Sequence, residues 1–296
     1  MPVPALAFKA YEIEEFVDIH FFRRVGIVIA YAARGIGFSP NAVSVVSGLV
    51  GGVGGALLVT DRFVWLGVAL IVAHGAFDSA DGQLARMTGQ VSELGRLLDG
   101  LGGYVTHAAA YIAIVLRVVS GGGSWWVVGV GVLAGAATAL HAQMYDYHRT
   151  AYSAIVLKGR TATPEPGSDS GADRRSGLVR GYEALQRRLS GLHASVERAI
   201  ANRAVGGVVQ QADRNRYREC FYRPVRCWNL FGDNVRRLGF IALACVHHLE
   251  WYFAFILIPL NVLLIAVWTY QQRADRQFLE ASVALRQDAP QRGVER

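Results

Sequence analysis

The chain is short of the charged residues with which soluble proteins cover their surfaces. Only 18% of its 296 residues are charged, whereas 52% are hydrophobic and the mean hydropathy is +0.27. This composition is typical of a protein that spans a membrane rather than one surrounded by water. The 33 glycines agree with that class, because small residues let helices pack closely in lipid.

Cysteine is scarce as well. Cys220, Cys227 and Cys245 have no metal-binding spacing and form no even set for disulfides, so we expect reduced, structural thiols. A cleavable signal peptide is not apparent, because residues 1–15 lack a basic stretch followed by an apolar run. We therefore expect the first membrane helices to direct insertion.

Acidic residues are outnumbered, and the net charge of +7 is carried mostly by arginine. In a membrane protein, basic residues collect in the cytoplasmic loops. Binding to nucleic acid is the weaker interpretation, because the basic residues form no compact recognition motif. We expect no nucleic-acid partner and a multi-pass location in the cytoplasmic (inner) cell membrane.

Six segments are long and apolar enough to span a bilayer. The connections on one side are short and nearly free of Lys and Arg, whereas the other side collects arginines, which predicts that both termini are cytoplasmic. The predicted fold class is an all-α, polytopic integral membrane protein with six transmembrane helices and an N-terminal interfacial amphipathic helix. The predicted spans are residues 41–60, 63–86, 96–119, 125–147, 234–250 and 251–271.

These spans divide the chain into five parts. The parts are an N-terminal cytoplasmic segment with the interfacial helix (1–40), helices one to four (41–148), a basic cytoplasmic region (149–232), helices five and six (233–272) and a cytoplasmic tail (273–296).

Three stretches within the cytoplasmic parts have patterns of their own. His20–Ile36 mixes apolar residues with arginines, which predicts an amphipathic helix lying in the membrane interface. Thr161–Ser176 is rich in Gly, Pro, Ser, Thr and Asp, which predicts a mobile loop. Gly181–Ala204 has one apolar stripe and is predicted to be a helix that lies on the membrane or covers a site.

Carboxylates stand at the predicted cytoplasmic ends of helices two and three. Asp78 and Asp81 are three residues apart, so they share a helix face, and Asp99 lies at the start of the next helix. A carboxylate near a membrane is costly unless it pairs, binds a cation or lines a wet cavity. Converging carboxylates therefore predict a site for a hard divalent cation, Mg²⁺ or Mn²⁺. Such a cation is often coordinated by substrate phosphates as well as by carboxylates.

Small residues accompany these carboxylates. Gly82 and Ala85 lie along the same side of helix two, and Gly95 precedes Asp99 by four residues. Small residues here would let a bulky ligand approach the backbone. Arg86 ends the stretch with a cation that could neutralise a phosphate or pair with a carboxylate.

This stretch resembles the signature of the CDP-alcohol phosphotransferases, whose pattern is D-x-x-D-G-x-x-A-R-x8-G-x3-D-x3-D. The chain matches seven of the eight fixed positions but has Gly103 at the last. In the family that last Asp is a metal ligand and the expected general base. The matching residues are Asp78, Asp81, Gly82, Ala85, Arg86, Gly95 and Asp99.

The resemblance implies a membrane transferase of phospholipid or related phosphodiester synthesis. It would move a substituted phosphate from a CDP-linked donor, most often CDP-diacylglycerol in the family, to an alcohol acceptor with release of CMP. Asp78, Asp81 and Asp99 would bind the metal. The implied substrate-binding residues are Asn41, Ser44, Gly82, Ala85, Arg86 and Gly95. For Asn41 and Ser44, a plain helix start is an equally good interpretation of the residues alone.

Gly103 removes the expected base of this reaction. His107 lies one turn further along helix three, and His74 lies one turn before Asp78. Either imidazole is a candidate substitute, because histidine titrates near neutrality, and His107 is the preferred catalytic candidate. For each, the alternative is a hydrogen-bonded polar residue inside a helix bundle.

Acceptor binding is the function that the sequence indicates least strongly. Asp146–Arg149, Asn234, Arg236 and Arg237 are polar, and such arginines would suit a phosphorylated acceptor. For each of them alone, anchoring at the cytoplasmic face is the stronger interpretation.

Two other functions stay open. The chain could be a catalytically impaired relative that binds metal and CDP-alcohol as a regulatory or partner subunit, because Gly103 replaces the base. A transporter fits less well, because the acidic residues lie at one membrane face and the two halves show no pair of discontinuous helices. Membrane lipid is an expected partner, and a homodimer stays open.

Overall fold

The computed structural model describes residues 11–162 and 190–291. Over these residues the protein is helical, with two isolated β-bridges and no strand, which confirms the all-α class. The longer helices are α1 (Arg23–Gly35), α2 (Pro40–Leu57), α3 (Val64–Thr88), α4 (Glu93–Ser120), α5 (Trp126–Tyr152), α6 (His193–Ala201), α7 (Gln211–Cys227), α8 (Asp233–Cys245) and α9 (Asn261–Gln291).

Short helical turns connect several of these helices. Most of the predicted loop Thr161–Ser176, and the first part of the predicted helix Gly181–Ala204, lie outside the described residues. The second part of that helix contains α6. The short turns are Tyr11–Ile13, Asp18–Phe22, Asp61–Phe63, Ser153–Leu157, Trp228–Phe231, Leu249–Trp251, Tyr252–Phe255 and Ile256–Leu260.

Within the described residues, five helical runs are long and apolar enough to cross a membrane, as in a multi-pass membrane protein. The predicted span at 234–250 is not among them. It forms α8, whose 13 residues extend about 20 Å, less than the ~30 Å hydrocarbon core. The six-span count is therefore not confirmed. The five runs are Pro40–Leu57, Asp61–Thr88, Glu93–Ser120, Trp126–Leu157 and Leu249–Ser282.

The N-terminal helix α1 packs against α3. Gly26 makes this approach close, since a Cβ atom there would lie 2.8 Å from the side chains of Ser79 and Gln83. The Gln83 side chain also donates a hydrogen bond to the Arg23 carbonyl at 3.1 Å. The location of α1 in the membrane interface stays a prediction.

The start of α2 follows the sequence signals. Ser39 caps the helix, because its hydroxyl accepts a hydrogen bond from the Ala42 N–H at 3.2 Å. Pro40 is the first helical residue, where its missing N–H removes no helical hydrogen bond.

Glycines on α2 let it pack at backbone distance against both α3 and α4. A Cβ atom on Gly54 would lie 2.9 Å from the Gly67 carbonyl oxygen of α3, and one on Gly55 would lie 2.7 Å from the Ala110 nitrogen of α4. Small residues are the usual means of such close contact between membrane helices. The start of α2 is thereby held beside the end of α3 and the start of α4.

The chain divides into two compact units. The first unit is Met1–Ala139 with Asp233–Leu260, and the second is Leu140–Gly232 with Asn261–Arg296. Apolar side chains such as Ile114 and Tyr252 form the core of the first unit. Trp228 and Phe231 contribute to the core of the second.

Candidate functional site

The three motif carboxylates converge in the first unit. Asp78 and Asp81 lie on α3, and Asp99 lies in the second turn of α4. One ligand atom from each lies within 4.8 Å of the other two. Asp81 is buried, Asp78 is half-buried and Asp99 is exposed, so the cluster extends from the interior of the unit to its surface.

A turn brings the third carboxylate to the first two. α3 ends at Thr88, and Gly89 then adopts a left-handed conformation with φ 69°, which glycine reaches without steric cost. Ser92 starts α4, because its hydroxyl accepts a hydrogen bond from the Gly95 N–H at 2.9 Å. The chain therefore reverses direction within a few residues.

The cluster has the chemistry of a divalent-cation site. Three carboxylates close together repel one another unless a cation or protons offset their charge. Mg²⁺ and Mn²⁺ both favour carboxylate oxygens as ligands. The Ser44 hydroxyl fixes the orientation of Asp81 by donating a hydrogen bond to its Oδ2 at 2.5 Å. Asp78, Asp81 and Asp99 thus fit such an ion.

The space beside Gly95 is taken by protein side chains. A Cβ atom on Gly95 would lie 2.9 Å from the Asn41 Oδ1 and 3.1 Å from the Ser92 Oγ. The Ser92 hydroxyl donates to the Asn41 Oδ1 at 3.4 Å. In the structure Gly95 therefore allows the start of α2 to approach the start of α4. A role of Asn41 and Gly95 in substrate binding stays a prediction.

Arg86 lies beside Gly82, one turn earlier on α3. A Cβ atom on Gly82 would lie 3.4 Å from the Arg86 Nη1, an ordinary contact distance. Gly82 and Ala85 are half-buried, and Arg86 is exposed. The guanidinium thus lies beside the residue that follows Asp81, where it could neutralise an anionic ligand.

The position of the missing motif Asp is open. A Cβ atom on Gly103 would meet no other atom within 4 Å. His107, one turn later, donates its Nδ1 hydrogen to the Gly103 carbonyl, with the two atoms 2.9 Å apart. That bond leaves the Nε2 of His107 with the basic lone pair. His107 lies eight residues from Asp99, about 12 Å along the helix axis.

His74 has the contacts of a structural residue. Its side chain is only 3% exposed, and its Nδ1 lies 3.0 Å from the Ser47 carbonyl oxygen. The Ser47 hydroxyl lies 2.8 Å from the same nitrogen. These contacts join α3 to α2, which matches the alternative of a hydrogen-bonded residue inside a bundle.

The acceptor-binding candidates fall into both units. Asn234, Arg236 and Arg237 begin α8 in the first unit, and all three are buried. Asp146–Arg149 belongs to the second unit. There, Arg149 donates hydrogen bonds to the Tyr145 hydroxyl and to Asn229.

Residues of the N-terminal segment take part in the polar network of the first unit, which the sequence did not reveal. Glu15 and Asp18 accept hydrogen bonds from Asn234 at 2.8 Å and 2.9 Å. Phe22 lies under the guanidinium of Arg237, whose Cζ is 5.0 Å from the ring centroid. The sequence signal for these contacts was a group of acidic residues that precede the N-terminal amphipathic helix.

Comparison with known proteins gives two matches. Residues 38–163 match the family model described as CDP-alcohol phosphatidyltransferase. A phosphatidylinositol phosphate synthase of Corynebacterium glutamicum is 35% identical over 91 residues. That match covers 30% of this chain and 37% of the relative, well under two thirds of the relative's length. The matched range contains the whole motif, so residues 38–163 of the chain are similar to the CDP-alcohol phosphatidyltransferase family.

Proposed function

We propose that the protein is a membrane transferase that moves a substituted phosphate from a CDP-alcohol to an alcohol acceptor in phospholipid or related phosphodiester synthesis. One observation carries the proposal: Asp78, Asp81 and Asp99 offer ligand atoms within 4.8 Å of one another. The match of residues 38–163 to the family model agrees with this chemistry. CDP-diacylglycerol is the proposed donor, and membrane lipid is accordingly a partner.

The reaction exchanges the phosphoanhydride bond of the donor's diphosphate for a new phosphate ester bond. The acceptor oxygen forms a bond to the donor phosphorus, the bond from that phosphorus to CMP breaks, and the acceptor loses its hydroxyl proton. A divalent cation, Mg²⁺ or Mn²⁺, supplies charge neutralisation when bound. Asp78, Asp81 and Asp99 would hold it, and Ser44 keeps Asp81 in place.

Other residues of the site would bind and orient the donor. Arg86 would neutralise part of the diphosphate charge from the exposed side of α3. Asn41 lies beside Gly95 at the start of α4, where its amide could accept or donate to the nucleotide. Gly82 and Ala85 are small, so they would leave room for the donor beside α3 between Asp81 and Arg86.

His107 is the proposed substitute base. Its Nδ1 hydrogen is engaged by the Gly103 carbonyl, so Nε2 is the nitrogen that could take the acceptor proton. Since His107 lies two turns beyond Asp99, this role requires an acceptor that extends along α4. His74 is less suitable because it is buried and bonded to Ser47.

A catalytically impaired relative is the second candidate, and Gly103 is the observation that favours it. That position lacks both the base and a fourth carboxylate. Such a protein would bind metal and CDP-alcohol without transfer and would act as a regulatory or partner subunit. Either protein could be a homodimer.

We further propose that the site faces the cytoplasm in the inner membrane. The arginine distribution supports this orientation. To test it, the three native cysteines are replaced, and single cysteines are placed at the exposed positions Gln90 and Ser124. An impermeant thiol reagent applied to intact cells should label position 124 and spare position 90. The reverse pattern would contradict the orientation.

An assay of CMP release separates the two candidate functions. Purified protein in detergent receives CDP-diacylglycerol, Mg²⁺ and a panel of acceptors that includes glycerol phosphate, inositol phosphate and serine. The phosphatidylinositol phosphate named in the relative's description makes inositol phosphate the first acceptor to test. The transferase releases CMP with at least one acceptor. Mg²⁺-dependent CDP binding without CMP release supports the impaired relative.

A further inference from the structure

A notch in α3 lies one turn before the carboxylate cluster. Gly75 has no side chain, and two groups occupy the space that one would fill. A Cβ atom there would lie 2.9 Å from the Arg237 Cζ and 2.8 Å from the Phe22 Cε1. Because Gly75 precedes Asp78 by three residues, the notch and the Asp78 carboxylate share a helix face.

Arg237 of α8 is held in this notch by several contacts. Its guanidinium lies over the Phe22 ring, a favourable cation–π arrangement. Its Nη1 donates a hydrogen bond to the Asn234 Oδ1 at 3.0 Å. Asp233 is a more distant neighbour, with its Oδ2 3.7 Å from the Arg237 Nη2. The positive charge of Arg237 therefore lies against α3 one helical turn before Asp78.

Asn234 connects Arg237 to the N-terminal segment. Its amide nitrogen donates to Glu15 and to Asp18, while its amide oxygen accepts from Arg237. An amide has two N–H donors and one carbonyl acceptor, so Asn234 bonds to both carboxylates and to the cation. Asn234 is 5% exposed and Glu15 is 7% exposed, which shields these bonds from water.

We infer that the N-terminal segment is part of the active centre. Glu15 and Asp18, acting through Asn234, and Phe22, by direct contact, position Arg237 in the Gly75 notch as a resident cation beside the proposed metal-binding carboxylates. Arg237 is thus a positioning residue that sets the charge of the site. This inference rests on the proposed function, since it assumes that the carboxylates take a divalent cation and a nucleotide diphosphate.

A resident cation has effects of opposite sign on the two ligands. Arg237 repels a divalent cation at the carboxylates and attracts the negative charge of a diphosphate. Removing its charge should therefore tighten Mg²⁺ binding and weaken binding of CDP. A general loss of structure would weaken both, so the opposite signs distinguish positioning from a merely structural role.

The test measures binding of Mg²⁺ alone, and of CDP at saturating Mg²⁺, by calorimetry on the full chain in detergent. Arg237→Gln should tighten Mg²⁺ and weaken CDP, each on the order of tenfold. Gly75→Ala fills the notch and Asn234→Ala removes the tether. Both should shift the two affinities in the same directions by smaller factors, although neither changes a charge.

Gly129→Ala is the matched control, because a Cβ atom there meets no atom within 4 Å, and it should leave both affinities unchanged. If Gly75→Ala and Asn234→Ala weaken both ligands together, or change neither, the inference is wrong even where Arg237→Gln does not fold. A parent that binds both ligands but releases no CMP contradicts the transferase alone. A parent that binds neither ligand overturns both proposals.

Discussion

The two units each contain a cluster of polar side chains, and the clusters differ in how their groups are paired. In the first unit, Asp78, Asp81 and Asp99 are all acceptors when ionised. In the second, His193 bonds to the Asp275 Oδ1 at 2.7 Å through Nδ1 and to the Tyr217 hydroxyl at 2.9 Å through Nε2. Each ring nitrogen of His193 therefore has a hydrogen-bonding partner within the second cluster.

The two clusters also differ in their exposure to solvent. His193 is 1% exposed and Asp275 is 0% exposed, so solvent and substrate do not reach them. Asp99, by contrast, is exposed. A buried cluster with internal partners stabilises a fold, whereas like charges that reach the surface must be offset by a cation or by protons. This difference favours a structural role for the second cluster and supports the ligand binding proposed for the first.

The largest expected effect comes from Asp81→Asn. The variant removes one carboxylate of the cluster, so Mg²⁺-dependent binding of CDP should fall by more than the roughly 10–100-fold that is typical of losing an outer-shell partner of a metal ligand. Its melting temperature in detergent without Mg²⁺ should not fall, because the repulsion among the carboxylates is reduced. Calorimetry and thermal unfolding measure the two quantities.

Asp61→Asn is the matched control for this substitution, since Asp61 lies before α3 at its opposite end and pairs with Arg117. It should leave CDP affinity unchanged. Equal CDP affinity in Asp81→Asn and the parent would show that the carboxylates are not the ligand site.

Gly103→Asp should have the next largest effect. The open space around this position accepts the side chain, and general-base catalysis typically contributes about 10²–10⁴-fold. We expect CMP release to rise toward that range above the parent. Gly100→Asp is the control, because it adds the same charge to another open position of α4.

We expect His107 to be a weak substitute base, and the opposite kinetic pattern would show that it fully replaces the missing Asp. In that case the parent is already fast, Gly103→Asp slows it and His107→Ala abolishes CMP release. The impaired-relative hypothesis would then be wrong.

Asp275→Leu tests the cluster of the second unit. The substitution leaves His193 and the Gln271 amide without the carboxylate that both contact, so the free energy of unfolding should fall by about 3 kcal/mol. CDP affinity of the folded protein should stay that of the parent. Gln277→Leu, at an exposed position of the same helix, should change neither. A loss of CDP binding at equal folding would contradict the purely structural assignment.

Tyr217→Phe should produce the smallest effect. It deletes one hydroxyl that bonds to His193 and keeps the aromatic packing against Phe221 and Phe278. We expect a loss of about 1 kcal/mol in the free energy of unfolding, measured by thermal unfolding. A loss as large as that of Asp275→Leu would mean that the two hydrogen bonds of His193 act as one unit.

The sequence predicted the helices whose signals are local. Apolar runs located α3 and α4 within a few residues, and Ser39 with Pro40 marked the start of α2, because capping involves neighbours in the chain. The predicted span at 234–250 differs from the structure for a local reason. His247 adopts φ 56° just after α8 ends at Cys245, so the chain turns before the helix reaches a spanning length.

The sequence by itself determined the membrane class, the family motif and the shared face of Asp78 and Asp81, since these depend on composition and helical spacing. Tertiary structure alone decided which distant residues contact one another around the candidate site. Ser44 meets Asp81 across 37 positions, and Asn234 meets Glu15 across 219. Glycine at 75 admits Arg237 to α3, a contact set by how α8 and the N-terminal segment pack. Packing joins residues without regard to their distance along the chain, so no spacing rule could have identified these partners.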